Sequence, residues 1–253
     1  MNASGALPAS HGSTIAGKQL HFLGTKVVPP RYQSLIERPR LLGIASQLSG
    51  KRLAVVKGPA GFGKTSLAAS WVQRLEHDGN AVAWLAIDTD DDEPASFLFY
   101  LSNALQRACE SVGGAAIQLI RESSLIKPRT IVSILMNDLA DVEDDVYLFL
   151  EDYHWITSPD LHEALAVFLR RAPSHCHVVL TTRTEPPLPI ASLRAQNQLL
   201  EIDIADLRFD LQETRNLLEV ESPRAISPSD VKLWHEKTEG WPAALRIAVR
   251  SMN

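Results

Sequence analysis

Hydrophobic positions along the 253-residue chain follow two alternating periods, one near two and one near 3.6. Residues 1–24, rich in Ser, Gly and Ala, show neither and are expected to form a loose N-terminal segment. Val27-Val28-Pro29-Pro30-Arg31 reads as extended chain, because paired prolines disfavour helix. Leu35, Ile36, Leu41, Leu42, Ile44, Ala45 and Leu48 suggest a short helix interrupted by Pro39. Arg52 to Lys57 is a first apolar strand, followed by a glycine-rich loop. Thr65 to His77 then sets Leu67, Trp71, Val72 and Leu75 on one helical face. Ala81 to Ile87 is a second strand, apolar almost throughout, as strands buried on both faces are. Pro94 and Pro128 each open a helix, at the position where a missing N–H costs nothing. Val146 to Leu150, His177 to Thr181 and Leu199 to Ile204 are three further strands, with a helix from Asp160 to Arg171 between the first two. Strands alternating with helices predict an α/β fold, a parallel five-stranded sheet flanked by helices over residues 25–210. Strand signals stop after Leu211. Helical patterns near 211–220, 228–238 and 241–251 predict a small helical subdomain over residues 211–253.

Composition narrows the function classes. With 45% hydrophobic and 22% charged residues, the chain can bury one large α/β domain with a small appendage. The net charge is −5, and no basic run is longer than Lys51-Arg52 or Arg170-Arg171. Nucleic-acid surfaces need clustered cations, so this chain alone is expected to bind DNA or RNA poorly. Cys109 and Cys176 lie far apart without metal-ligand spacing, which suits a reduced cytosol. No apolar block marks a signal peptide, and the longest apolar runs are too short to span a bilayer. The expectation is a cytoplasmic protein with no membrane partner.

The chemistry centres on Gly58-Pro59-Ala60-Gly61-Phe62-Gly63-Lys64-Thr65, a G-x-x-x-x-G-K-T string between a predicted strand and a predicted helix. Backbone N–H groups at that helix start point at phosphates, and the helix dipole adds to them. The glycines allow close approach, Lys64 supplies a point charge for the β and γ phosphates, and the Thr65 hydroxyl faces Mg²⁺. A plain glycine turn is the alternative, and the strand–loop–helix context argues against it. Such a loop needs an acid at a neighbouring strand end to hold the metal and orient water. Tyr147-Leu148-Phe149-Leu150-Glu151-Asp152 offers two carboxylates there, and spacing leaves open which holds the metal shell. Adjacent strand residues point opposite ways, so the two are expected to have different jobs. Arg183, after Thr181-Thr182, either reaches the γ-phosphate or is a surface arginine before Pro186-Pro187.

Other signals are weaker. Asp88-x-Asp90-x-Asp92 has the rhythm of a calcium loop, but Glu93 stands where glycine is required and Phe99 where the bidentate Glu belongs. His175, Cys176 and His177 complete no ligand set. His154 follows the acidic pair and lies near the candidate site.

With these elements in place, the sequence resembles the nucleotide-binding domain of MalT-like regulators, the large ATP-binding LuxR-type transcription activators of the STAND class of P-loop NTPases. The resemblance covers residues 25–250. Thr25-Lys26, Pro29, Pro30 and Arg38-Pro39-Arg40-Leu41-Leu42 look like the family's opening, which lies against adenine. Gly58 to Thr65, with Ser66 beside it, is similar to its Walker A loop. Trp84-Leu85-Ala86-Ile87-Asp88 is a family-like second strand. Leu150-Glu151-Asp152-Tyr153-His154 is similar to its Walker B signature, normally Leu-Asp-Asp-Tyr-His, and Glu151 departs from it by one methylene. Thr182-Arg183 matches the sensor arginine. Leu207-Arg208-Phe209 and Glu239-Gly240-Trp241-Pro242-Ala243 match later motifs, including a Gly-x-Pro turn whose Pro242 packs near adenine.

The resemblance implies ATP or ADP with Mg²⁺ as cofactors and a slow ATPase that resets an ADP-bound resting state. It also implies self-association in the ATP-bound full-length protein. DNA would be contacted only through a helix-turn-helix domain outside this chain, which is expected to be a piece of a larger regulator. A stand-alone P-loop ATPase or kinase is the competing reading. It needs an acceptor site or an arginine finger, and no kinase lid pattern is visible. A vestigial interaction module is disfavoured by the intact Lys64 and Thr65. Steady-state turnover separates the first two, because a switch turns over slowly.

Overall fold

The computed structural model describes residues 12–15, 18–32, 36–123, 127–222 and 225–251, with 12–15 and 18–21 as backbone only. Its elements run β1 (Gly12–Ile15), β2 (Lys18–His21), α1 (Pro39–Leu42), β3 (Leu53–Lys57), α2 (Lys64–His77), β4 (Ala81–Ala86), α3 (Pro94–Ala108), α4 (Gly114–Glu122) and α5 (Pro128–Ala140). They continue with β5 (Val146–Glu151), α6 (Pro159–Arg171), β6 (Cys176–Thr182), α7 (Ile190–Ala195), β7 (Leu199–Ile202), α8 (Ile204–Leu207), α9 (Leu211–Glu221), α10 (Pro228–Thr238) and α11 (Pro242–Arg250).

β4, β5, β6, β3 and β7 form one parallel sheet in that order. Period two sorts their side chains between two cores. Leu53 and Val55 of β3 join Leu148 and Leu150 of β5 under α3, α5 and α6. Ala54 and Val56 join Tyr147 and Phe149 on the opposite face, under α2. Trp71 of α2 is fully buried there, and its indole N–H donates to the Leu41 carbonyl at 2.9 Å. Truncating a side chain of that size costs about 3–5 kcal/mol. β6 stands between β3 and β5, so Thr182 at its end lies beside the glycine loop, with Gly58 N–H donating to its carbonyl at 3.1 Å.

Several expectations need correction. Residues 12–21 were expected to be loose, yet β1 and β2 pair as an antiparallel ribbon. Pro39 opens α1 instead of interrupting a helix, since its ring suits the first turn. Leu35 lies outside the described residues. The last strand stops at Ile202, where Asp203 caps α8 and turns the chain. α4 had no counterpart in the sequence reading; Gly113, at φ 88°, starts it with little local warning.

Helices α9 to α11 gather around Phe209, Leu217 and Leu245, and around Leu218, Val231 and Val249. Arg38 and Arg40, on the strand side of the chain, reach across to this unit. Glu213 is buried between them: Arg40 donates Nε and Nη2 to its two oxygens at 3.0 and 3.1 Å, and Arg38 Nη2 lies 3.3 Å away. Arg38 also donates to the carbonyls of Leu207 and Arg208 at 2.9 and 3.1 Å. Burial lowers the pKa of Arg38, against the pull of Glu213. A buried cation left without its carboxylate is costly. Glu213→Ala is therefore expected to destabilise the chain by about 3 kcal/mol in urea unfolding. An unchanged midpoint would mean that α9 is held by its apolar contacts alone.

Candidate functional site

The glycine loop is built by local geometry before any tertiary contact acts. Gly61 and Gly63 have φ of 81° and 79°, a left-handed conformation that side chains with a Cβ resist. A Cβ on Gly63 would meet nothing within 4 Å, so this turn faces open space at the start of α2. A Cβ on Gly61 would come within 2.6 Å of Ala243 Cβ. There the loop is docked on α11: Ala243 N–H donates to the Gly61 carbonyl at 3.1 Å, and Phe62 stacks on Trp241 with ring centroids 6.0 Å apart. Pro242 at the first position of α11 leaves the next N–H free to make that bond.

Between loop, β-strand ends and α11 lies a cavity of about 390 Å³. Its wall brings together Arg38, Ala60, Gly61, Gly63, Lys64, Thr65, Ser66, Asp152, Arg183 and Pro242. Gly58, Pro59, Phe62 and Glu151, grouped with them from sequence, do not line it. Gly58 faces Leu207 and Ile204, Phe62 is buried against Trp241, and the Pro59 carbonyl accepts from Lys64 Nζ at 3.0 Å. Glu151 lies behind Thr65, whose hydroxyl donates to its Oε1. Pro29 and Pro30, read as part of an adenine-facing opening, line a separate cavity with Val72, Glu76 and Arg107. Lys26 is buried in an ion pair with Asp91, and Asp88 lies 3.0 Å from its Nζ.

The acidic pair divides as its surroundings dictate. Glu151 is 5% exposed, and its Oε2 is buried without a hydrogen-bond partner. Burial pushes its carboxyl up to about 7, opposed by Thr65 and Thr181 and reinforced by the Asp152 charge. Asp152 leaves the strand in a left-handed conformation, φ 56°, which turns its side chain to the cavity while its N–H donates to Thr181 Oγ1 at 2.8 Å. Lys64 is 6% exposed; desolvation lowers its pKa, the two carboxylates oppose this, and Arg183 adds to it. His154 Nδ1 lies 3.6 Å from Asp152, but the imidazole is buried and does not line the cavity. Arg38 lines it with a guanidinium already committed to backbone carbonyls and Glu213.

A magnesium ion fits this donor set. The Thr65 hydroxyl and the Asp152 carboxylate are hard oxygen donors on the cavity wall, and Glu151, whose buried Oε2 has no hydrogen-bond partner, stands behind Thr65. Among the described residues no cluster of three or more His, Cys, Asp or Glu could form a closed metal cage. Sequence reasoning missed Arg246, Tyr32, Ile36 and Ser70 in the cavity wall. Arg246 had a signal, since it follows Pro242 by four residues and so shares its helix face.

The family described as nephrocystin 3, N-terminal, matches residues 31–183, more than half of the chain. The chain belongs to this family. The HTH-type transcriptional regulator MalT of Vibrio parahaemolyticus is 32% identical over 219 residues, 87% of this chain and 24% of that protein. MalT of Serratia proteamaculans is 34% identical over 226 residues, 88% and 24% of the two chains. The serine/threonine-protein kinase PknK of Mycobacterium tuberculosis is 32% identical over 219 residues, 87% and 20%. The chain thus spans about a quarter or less of these relatives, and it is a MalT-like nucleotide-binding domain. Solved structures show the fold. A Walker-type ATPase of Pyrococcus abyssi superposes with TM-score 0.58 at 12% identity over 88% of this chain and 69% of that one. The Aeropyrum pernix ORC1 protein, solved with DNA, gives 0.55 at 15% identity over 87% and 61%. No described helix is long and apolar enough to cross a membrane.

The Glu151 environment gives a pH signature. Its carboxyl rises from 4.5 when unfolded to about 7 when folded. Between those values the folded chain holds a proton that the unfolded chain has lost, so stability falls as pH rises through that window and is flat above it. In the ligand-free protein this group should contribute a decline of about 3 kcal/mol. Glu151→Gln should remove that slope, measured as the difference between the two proteins in denaturant midpoints from pH 4.5 to 8. Parallel profiles would mean that Glu151 binds its proton equally in the folded and unfolded chains.

Proposed function

We propose that this chain is the ATP- and ADP-binding switch domain of a MalT-like transcriptional regulator, in which bound nucleotide ties α9–α11 to the sheet. One observation carries the reading: the phosphate loop itself touches the helical unit, through Gly61 and Ala243. A loop that served turnover alone would have no need to report to a second unit. Phosphates would lie over Gly63 and the start of α2, with Lys64 leaving the Pro59 carbonyl for the β and γ oxygens. The base would lie toward Ile36, Phe209 and Pro242, apolar side chains of the cavity wall. The unit 211–253 would act as a cover, and residues 25–210 as the platform.

Mg²⁺, when bound, would neutralise charge on the β and γ phosphates. Thr65 and the two carboxylates would hold its shell, and Asp152, facing the cavity, would orient a water toward the terminal phosphate. Arg183 would lie beside that phosphate and lose its partner on hydrolysis. Slow hydrolysis returns the protein to an ADP-bound rest state, and the regulator self-associates in its ATP state. Any DNA contact would come through a part of the regulator outside this chain, and its location would be cytoplasmic.

Lys64→Ala should abolish tight ATP and ADP binding while the chain stays folded. Nucleotide at a hundred times its dissociation constant should stabilise the wild type by about 2.7 kcal/mol and the variant hardly at all. Equal affinities by calorimetric titration would sink the phosphate-site assignment.

A second test addresses the switch. ADP should slow amide exchange over α10 and α11 by closing the cavity between them and the loop. Pro242→Ala should weaken that protection. If those helices exchange at the same rate with and without ADP, the site binds nucleotide but the switch reading fails.

A further inference from the structure

We propose that Arg246 is a phosphate-reading side chain of the cavity, held by Glu221 until nucleotide arrives and then exchanged onto its phosphate chain. This rests on the nucleotide reading above and adds a residue that the sequence motifs do not contain. Arg246 lines the cavity from α11. It follows Ala243 by three residues and Pro242 by four, so it rises from the helix face that already grips Gly61. Its Nε forms an ion pair with Glu221 Oε1 at 3.0 Å, at the end of α9. Its two terminal nitrogens have no hydrogen-bond partner among the described residues. The side chains of Arg246 and Glu221 are 43% and 23% exposed, so the pair is weak enough to exchange.

Among the described residues, the four cations on the cavity wall differ in how free they are. Arg38 is committed to carbonyls and Glu213. Lys64 and Arg183 lie at the strand-end side, with Asp152. Of these four, Arg246 comes from the helical unit, and its open pair of N–H groups matches the planar bidentate geometry that phosphate prefers. Exchange would break the Arg246–Glu221 contact between α9 and α11 and form a contact between α11 and the ligand. Nucleotide would then be read by a residue whose release changes the packing of the helices it sits on.

The experiment compares ADP with adenosine on four proteins by calorimetric titration and displacement: wild type, Arg246→Ala, Arg246→Lys and Glu221→Gln, with Lys64→Ala as control. Arg246→Ala should weaken ADP about tenfold and leave adenosine unchanged, as loss of one charge-assisted contact implies. Arg246→Lys should fall between, since it keeps charge without the fork. Glu221→Gln should tighten ADP about threefold by removing the competing acceptor. The thermal midpoints of the ligand-free Arg246 variants should stay within a few degrees of wild type, which separates a ligand contact from a folding defect. Equal weakening of ADP and adenosine, no weakening of either, or weaker ADP binding by Glu221→Gln would overturn the inference. If Lys64→Ala also leaves ADP affinity intact, it is the nucleotide site itself that fails. If only Arg246 is silent, the site stands without it.

Discussion

The structure turns on a close approach of two backbones. Gly61 can present its carbonyl to the N-terminus of α11 only because it lacks a Cβ and sits at positive φ. Ala243 completes the contact because it is small and follows Pro242, which starts the helix without requiring a hydrogen bond of its own. Gly240 fixes the angle of approach: its φ is 69°, and a Cβ there would lie 2.3 Å from the Phe209 carbonyl. Phe209 N–H in turn donates to Gly240 O at 2.8 Å. So one glycine in the loop and one in the turn set the distance between sheet and helical unit. The cavity is what remains between them.

That cavity is lined by both charged and apolar side chains, and burial decides how each charge behaves. Lys64 and Glu151 are both nearly enclosed, and desolvation works against the charge of each. Each offsets part of the cost by facing the other's sign, but neither is fully satisfied: Lys64 falls back on the Pro59 carbonyl, and Glu151 Oε2 has no hydrogen-bond partner. Groups held in this condition gain more from a polyanion and a divalent cation than well-solvated groups would.

Much of this was legible in the sequence, and the failures have physical causes. The central strands could be read because β3, β4 and β5 are apolar along almost their whole length and bounded by polar residues. The loop could be read because its string stands between strand and helix. Pro39 was misread because a proline stops a helix only when an earlier turn already exists. α4 escaped because its apolar residues follow Gly113-Gly114, where the local pattern points to a turn. Arg246 was passed over because its importance lies in what α11 faces, and a helix's rotational setting against a loop is a tertiary fact. The roles of Arg38 and Arg40 were hidden for the same reason: their carboxylate, Glu213, is more than a hundred and seventy residues away in sequence.

The contact at Gly61 is too small to be the switch by itself. One backbone hydrogen bond contributes about 1 kcal/mol net. An aromatic pair such as Phe62 and Trp241 adds about 0.5–1.5 kcal/mol beyond burial. Carrying an equilibrium from mostly closed to mostly open takes about 5.5 kcal/mol of differential binding. The difference must come from a ligand that touches both units, and the cavity wall is arranged for this, with Lys64 and Asp152 on one side and Pro242, Ala243 and Arg246 on the other. A ligand held by the loop alone would bind tightly and shift nothing, because its affinity would be equal in the two arrangements. Bridging is therefore a requirement of any switch built on this site. In such a switch the loop would supply affinity, while α11, if it lost its contacts in a second arrangement, would supply the difference between states.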